Sequence, residues 1–350
     1  MILGACAYDT HFDDCAVRCS TDAECPVGLT CRTEGLCRTL DEAETCAKVL
    51  DTFPSCVGLA ETCGPNADED CCSTATSIPG GTFFRSYDVA GDGMYPSTSY
   101  PATVSPFRLD RFEVTVGRFR KFVEAGMGTH VNPPMDGAGT HPNLARSGWD
   151  PIWNSELVSD TPALVAGIKC DSTTTWTDAP GVKEDLPINC TTWYEVMAFC
   201  IWDDAYLPTE AEWNYAAAAG SEHRVYPWSN PPNSKEIDCS YTNYHNGTTT
   251  CVLNGATNRV GSESPKGDGK WGQADLSGNL WERTLDWHAA QYANTNQCDD
   301  CADLSPAVVR VDRGGYFRSP ASELRGAMRG TVPPSFRRSS IGARCARPDR

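Results

Sequence analysis

The clearest alternation of apolar and polar positions lies in residues 107–126, FRLDRFEVTVGRFRKFVEAG. Phe107 and Leu109 predict a short strand. Phe119, Phe122 and Val123 then recur at helical spacing, which predicts a helix with that face inward and Gly126 as its stop. Two further helices are announced by capping boxes, in which a Thr hydroxyl and a Glu carboxylate three residues on satisfy each other's free backbone N–H groups. Thr192 with Glu195 opens an apolar helix that ends near Asp204. Thr209 with Glu212 opens a second, in LPTEAEWNYAAAAG, which Gly220 ends. Residues 18–37, RCSTDAECPVGLTCRTEGLC, behave differently. They show no apolar periodicity and almost nothing that could form a core.

Length and charge narrow the reading. The 350 residues suit one large domain with something smaller, or two domains. A mean hydropathy of -0.40 and the lack of a long apolar run exclude a transmembrane helix. Lys and Arg total 29 against 46 Asp and Glu, a net charge of -17, which disfavours wholesale binding to nucleic acid. The charge is unevenly spread. Residues 1–72 carry 14 acidic and 4 basic side chains, whereas residues 310–350 carry 10 Arg, no Lys and 3 acidic ones. Those arginines either pair with carboxylates and carbonyls inside the domain or face an anion. The composition divides the chain into an acidic, Cys-rich module at 1–72 and a globular domain at 73–350.

The 19 cysteines indicate an oxidising compartment. Cys6, Cys15, Cys19, Cys25, Cys31, Cys37, Cys46, Cys56, Cys63, Cys71 and Cys72 all precede Ser73. A coreless segment of this kind orders when disulfides remove chain entropy, each contributing about 2–4 kcal/mol. Zinc is the rival, but this segment lacks the tight CxxC or HxxxH pairs that zinc favours. Its SxDxECPxGxxC wording resembles the small Cys-rich modules of myxobacterial extracellular proteins. An odd total leaves one cysteine over. Cys6, in Leu3-Gly4-Ala5-Cys6, resembles a lipobox cysteine that receives diacylglycerol. Met1-Ile2-Leu3 is too short for a signal peptide, so the anchor needs a sequence upstream. The expected location is extracytoplasmic: an outer-membrane or cell-surface lipoprotein held through Cys6, or a secreted protein.

The large domain carries ordered blocks. These are Ile78-Pro79-Gly80-Gly81-Thr82-Phe83, the 107–126 segment, the two capping-box helices, Tyr226-Pro227-Trp228-Ser229, GQADLSGNLWERTLDW at 272–287, VDRGGYF at 311–317 and IGARCAR at 341–347. As an ordered set they resemble the formylglycine-generating enzyme (sulfatase-modifying factor) family. The resemblance implies a loop-rich α+β fold related to C-type lectins, with bound calcium ordering its loops. The abundance of Gly (30) and Pro (24) suits such a chain. By the same resemblance, calcium takes oxygens from Asp275, Gly278, Leu280 and Glu282, the carboxylates and carbonyls that this hard cation prefers. A weaker second site involves Asn243 and Tyr244. The family's disulfide carries over to Cys200 with Cys345, which closes a long loop. Proximity then suggests Cys170 with Cys190, Cys239 with Cys251 and Cys298 with Cys301. The last pair, Cys298-Asp-Asp-Cys301, could instead be redox-active. The two Asp residues raise the thiol pKa, which favours a structural clasp.

The family's oxidation of a sulfatase cysteine uses Cu(I) held by two cysteines shortly after an RGGS block, and soft thiolates are what Cu(I) needs. Here the stretch from Arg313 contains no cysteine before Cys345, so no copper is expected. The six histidines show no HxxxH or facial-triad spacing for iron. The expectation is a noncatalytic binding module for a glycan, a peptide or an anionic ligand. Tyr316, Phe317, Arg318, Phe336, Arg337 and Arg338 are the candidate ligand surface. A divergent metal-dependent oxidoreductase is the alternative.

Overall fold

The computed structural model describes residues 53–73, 77–252, 254–292 and 298–349, together with the backbone of one strand pair near the N-terminus. The chain divides into a unit at Met1–Phe53 and a unit at Pro54–Arg350. In the first unit, β1 (Thr30–Cys31) pairs antiparallel with β2 (Cys37–Arg38). Lipidation at Cys6 falls outside the described residues.

The boundary expected at 72/73 lies inside the second unit. Ser55 donates its backbone N–H to Asp203 Oδ1 at 2.9 Å, and its hydroxyl accepts from Arg118 Nε at 3.0 Å. Disulfides join Cys56 to Cys72 and Cys63 to Cys71. The second of these packs in an apolar cluster with Phe112 and Val260. Composition groups these cysteines with the N-terminal module. Packing assigns them to the domain that follows.

Helix α1 (Val116–Glu124) forms where the periodicity places it. Thr115 caps it by accepting the Arg118 N–H, and Phe119 and Phe122 are buried. Gly126 follows at φ +69°, a left-handed turn that a Cβ disfavours. A short α2 spans Thr161–Gly167. Both predicted capping boxes are present, opening α3 (Trp193–Trp202) and α4 (Glu210–Ala217). Helix α4 stops before Gly220, because Ala219 already takes the left-handed turn at φ +55°.

The strands are short and lie in small sheets. β3 (Gly81–Phe84) pairs with β4 (Pro101–Val104), and β5 (Phe107–Leu109) pairs with β10 (Ala346–Pro348). A four-stranded sheet has the order β8 (Gly330–Val332), β7 (Arg310–Arg313), β6 (Trp281–Trp287), β9 (Ile341–Gly342). The fold is α+β, with much of the chain in ordered loops.

One core packs Phe119, Phe122, Trp149, Trp193 and Phe199 around the Cys200–Cys345 bridge. A second packs Phe83, Leu109, Trp213 and Leu276. Buried ion pairs tie the loops to these cores. Arg118 bonds Asp110 at 2.9 Å and Asp203 at 2.6 Å, and Arg347 also reaches Asp203 at 2.7 Å. Much of the Arg-rich C-terminal stretch is spent in this way. Arg310 stacks between Trp193 and Trp287, 3.7 Å from each ring centre. Among the described residues, no helix is long and apolar enough to cross a membrane.

Candidate functional site

The N-terminus of α4 meets the sheet at a polar centre. Glu210, the first residue of α4, is buried. Arg313 of β7 donates to its Oε1 at 2.5 Å, and Arg329 clamps both oxygens at 2.6 and 2.9 Å. The Tyr292 hydroxyl adds a third donor at 3.0 Å. Burial alone would raise the Glu210 carboxyl, but the two arginines outweigh it and hold the group at about 2. Asp286, at the end of β6, accepts the N–H groups of Glu210 and Asp303 at 2.7 and 2.8 Å. Burial, reinforced by the neighbouring charge of Glu210, pushes its carboxyl up to about 7. Burial, and then Glu210, push the Tyr292 phenol up to about 12. Glu210, Asp286, Tyr292 and Arg329 line a cavity of about 510 Å³, whose other walls include Arg85, Arg146, Cys301 and Leu304. That volume suits a small ligand. Sequence reading missed this centre, because Glu210 registers only as a residue between the Thr209 and Glu212 of a capping box and its partners come from separate elements.

The stretch after Arg313-Gly314-Gly315 is packed and sulfur-poor. Gly315 has φ +74°, and a Cβ there would lie 2.4 Å from the Leu324 side chain. Ser319 is buried; its hydroxyl accepts the Tyr316 N–H at 3.2 Å and donates to Glu323 Oε2 at 2.7 Å. Met328 supplies the sulfur of this region, and it accepts from the Tyr95 hydroxyl at 3.1 Å. Cys345 is bonded to Cys200. No pair of thiolates is available here to hold Cu(I).

The calcium set expected from Asp275, Gly278, Leu280 and Glu282 is not assembled around Glu282. That side chain is fully buried, and Arg344 takes both of its oxygens, at 2.6 and 2.7 Å. Trp213 Nε1 adds a bond at 2.8 Å. A guanidinium already supplies the positive charge that calcium would bring. Asp275 accepts the Gly261 N–H at 2.6 Å, and its carboxyl is pushed up by burial and then by Glu263. The Leu280 N–H donates to Glu113, and Gly278 packs its backbone against Asn243. The second expected site fits a cation better. Asn243 is 1% exposed, and its Oδ1 is buried without a hydrogen-bond partner. The neighbouring Tyr244 carbonyl accepts from Cys251. An orphaned buried oxygen is an unfavourable arrangement that a hard cation relieves.

The six residues expected to form a ligand surface do not form one. Phe317 is buried, and Arg337 is committed to Glu195 and to the Cys190 carbonyl, at 3.0 Å for the latter. Arg318 reaches the Gly255 carbonyl, and Tyr316 is half-buried against Phe317. Phe336 and Arg338 are exposed beside the α3 N-terminus. Arg313, Arg329, Arg337, Arg344 and Arg347 serve the interior, because the buried carboxylates of Glu210, Glu195, Glu282, Asp110 and Asp203 require them.

The disulfides of the domain join Cys170 to Cys190, Cys200 to Cys345, Cys239 to Cys251 and Cys298 to Cys301. Among the described residues, Cys170, Asp171 and Cys190 place metal-ligating atoms within 4.8 Å of one another, but the two sulfurs are bonded to each other. His141 is buried against α4. It bonds Glu212 at 3.1 Å and accepts the Asn143 N–H.

Comparison with known proteins matches residues 60–348 to the sulfatase-modifying factor enzyme 1-like domain. The formylglycine-generating enzyme of Thermomonospora curvata is 27% identical over 301 residues, covering 77% of this chain and 92% of its own. The inactive C-alpha-formylglycine-generating enzyme 2 of Bos taurus is 29% identical over 291 residues, covering 77% and 86%. The structure of PvdO from Pseudomonas aeruginosa superposes with a TM-score of 0.54 at 21% identity, covering 78% of this chain and 94% of its own, and it shares the fold.

Proposed function

The chain belongs to the sulfatase-modifying factor enzyme 1-like domain family, and from that premise we propose that it binds a ligand and does not generate formylglycine. One observation carries the reading. From Arg313 to Gly342 the only sulfur is that of Met328, and Ser319 is locked to Glu323. A neutral serine hydroxyl cannot replace a thiolate on Cu(I).

The ligand occupies the cavity at the head of α4, where the exposed Arg146, with Arg85 in the same wall, suits a polar molecule that carries negative charge. The protein works in an oxidising, extracytoplasmic compartment, a reading that its disulfides support. A structural calcium ion uses the Asn243 oxygen.

The test is incubation of a CxPxR peptide with the protein and O₂, with and without Cu(I), followed by mass spectrometry. The expected result is an unchanged peptide whose thiol can still be alkylated. Conversion to the aldehyde overturns this reading and favours an oxidoreductase with a relocated metal.

A further inference from the structure

The cavity has a disulfide in its wall. Cys298 is 1% exposed, whereas Cys301 is half-buried and lines the cavity. Arg85 donates from Nη1 to Cys301 Sγ at 3.5 Å, and its guanidinium lies 4.1 Å from the centre of the Tyr292 ring. A guanidinium held against sulfur stabilises that sulfur whenever it acquires negative charge, and a thiol so placed ionises well below its usual value of about 8.5. In the sequence, the two Asp residues between the sulfurs argue against this chemistry. The structure alters the balance. Asp300 turns both oxygens away, to the Ser105 N–H and hydroxyl at 2.6 Å each and to Asn143 Nδ2 at 2.8 Å. Asp299 is exposed to solvent. Of the other charged groups around the cavity, Glu210 is neutralised by Arg313 and Arg329, Asp286 is tied to two backbone N–H groups, and Asp303 caps Ser305 at 3.0 Å.

We propose that Cys298–Cys301 is a thiol–disulfide exchange centre and that the cavity's ligand is a small acidic thiol. This rests on the cavity being a ligand site and goes beyond it by naming the ligand's chemistry. The entering thiolate attacks Cys301 Sγ. A bond forms between the ligand sulfur and Cys301 as the Cys298–Cys301 bond breaks. Cys298 leaves with the electron pair and takes up a proton, which balances the one lost by the entering thiol. One thiol and one disulfide become a mixed disulfide and a thiol, so no outside oxidant is needed. Arg85 faces the negative charge shared among the three sulfurs. The ligand's carboxylates face Arg146, which is exposed in the cavity wall. By contrast, the residues of the Cys200–Cys345 bridge are fully buried in the core and out of reach.

The experiment exposes the native full-length protein to reduced glutathione at pH 7, quenches with acid and maps the peptides. The expected products are glutathione on Cys301 and a free thiol at Cys298, formed before the Cys239–Cys251 bridge opens. Arg85→Gln should slow this exchange about tenfold or more. In a second variant, Cys298→Ser, the alkylation rate of Cys301 should rise with a midpoint at least about one pH unit below 8.5. An intact Cys298–Cys301 bridge, or a Cys301 midpoint at or above about 8.5, overturns the proposal. S-methylglutathione, which cannot exchange, probes the cavity alone. If it binds while glutathione leaves the bridge intact, the cavity remains a ligand site and the exchange chemistry is refuted. If it does not bind and no exchange occurs, both readings fall.

Discussion

Arg344 closes on Glu282 with paired hydrogen bonds, Nε to Oε2 at 2.7 Å and Nη2 to Oε1 at 2.6 Å, and neither side chain reaches solvent. The same guanidinium also holds the carbonyls of Asp110, Arg111 and Ala274. One arginine near the C-terminus therefore fastens β6 to two loops. Its pairing commits both oxygens of Glu282 to the guanidinium.

Glu282→Gln leaves the Arg344 charge buried and uncompensated, which should cost about 3–5 kcal/mol. The calcium-dependent part of stability should be unaffected, because Glu282 faces arginine. Asn243→Ala should do the reverse, abolishing the rise in Tm that calcium gives over EDTA. Thermal denaturation of both variants with calcium and with EDTA separates the two effects. A calcium-dependent Tm shift that survives in Asn243→Ala and vanishes in Glu282→Gln would return the ion to Glu282.

Cys200 and Cys345 are joined across a sequence separation of 145 residues in the centre of the larger core. Replacing both by Ser should lower stability by about 2–5 kcal/mol. In denatured, unreduced protein neither cysteine should be alkylated, and a peptide map should recover them joined.

Two buried carboxyls at the cavity give opposite pH dependences. The ordinary value for Glu210 is 4.5, and the fold holds it at about 2. Its stabilisation is complete above about 4.5 and is lost as the pH falls from there towards about 2. Asp286 is raised from 3.8 to about 7. Between those values the unfolded chain has lost its proton while the folded chain keeps it, so stability falls as the pH rises from about 4 to about 7. Urea midpoints measured across this range should fall with rising pH in the native chain, and Asp286→Asn should flatten that component. An unchanged slope in Asp286→Asn would show that Asp286 is ionised throughout.

Residues 54–72 should behave as part of the large domain. A chain that starts at residue 73 loses the Ser55 contacts with Asp203 and Arg118 and the Cys56–Cys72 and Cys63–Cys71 bridges. It should be less stable than a chain that starts at Pro54 by at least about 2 kcal/mol, the low end for a lost disulfide. Chemical denaturation of the two chains measures the difference directly.

Features that depend on near neighbours are legible along the chain. Thr192 with Glu195 and Thr209 with Glu212 place two helix starts correctly, because a capping box closes within one turn. The spacing of Phe119, Phe122 and Val123 identifies the buried face of α1 for the same reason. The ordered blocks between residues 78 and 347 identify the family, and the stretch after Arg313 shows that its thiols are absent. Tertiary structure alone decided which charges meet. Glu210 is 103 residues from Arg313 and 119 from Arg329, and Arg85 is 216 from Cys301. No local pattern pairs such positions, since a buried carboxylate accepts any arginine that the fold delivers to it. The split of the expected ligand surface has the same origin. Arg337 and Arg318 look alike in sequence, yet Glu195 claims the first and a loop carbonyl the second. Burial makes an unpaired charge too costly to keep, so chain closure determines which arginines are drawn inward and which still face solvent.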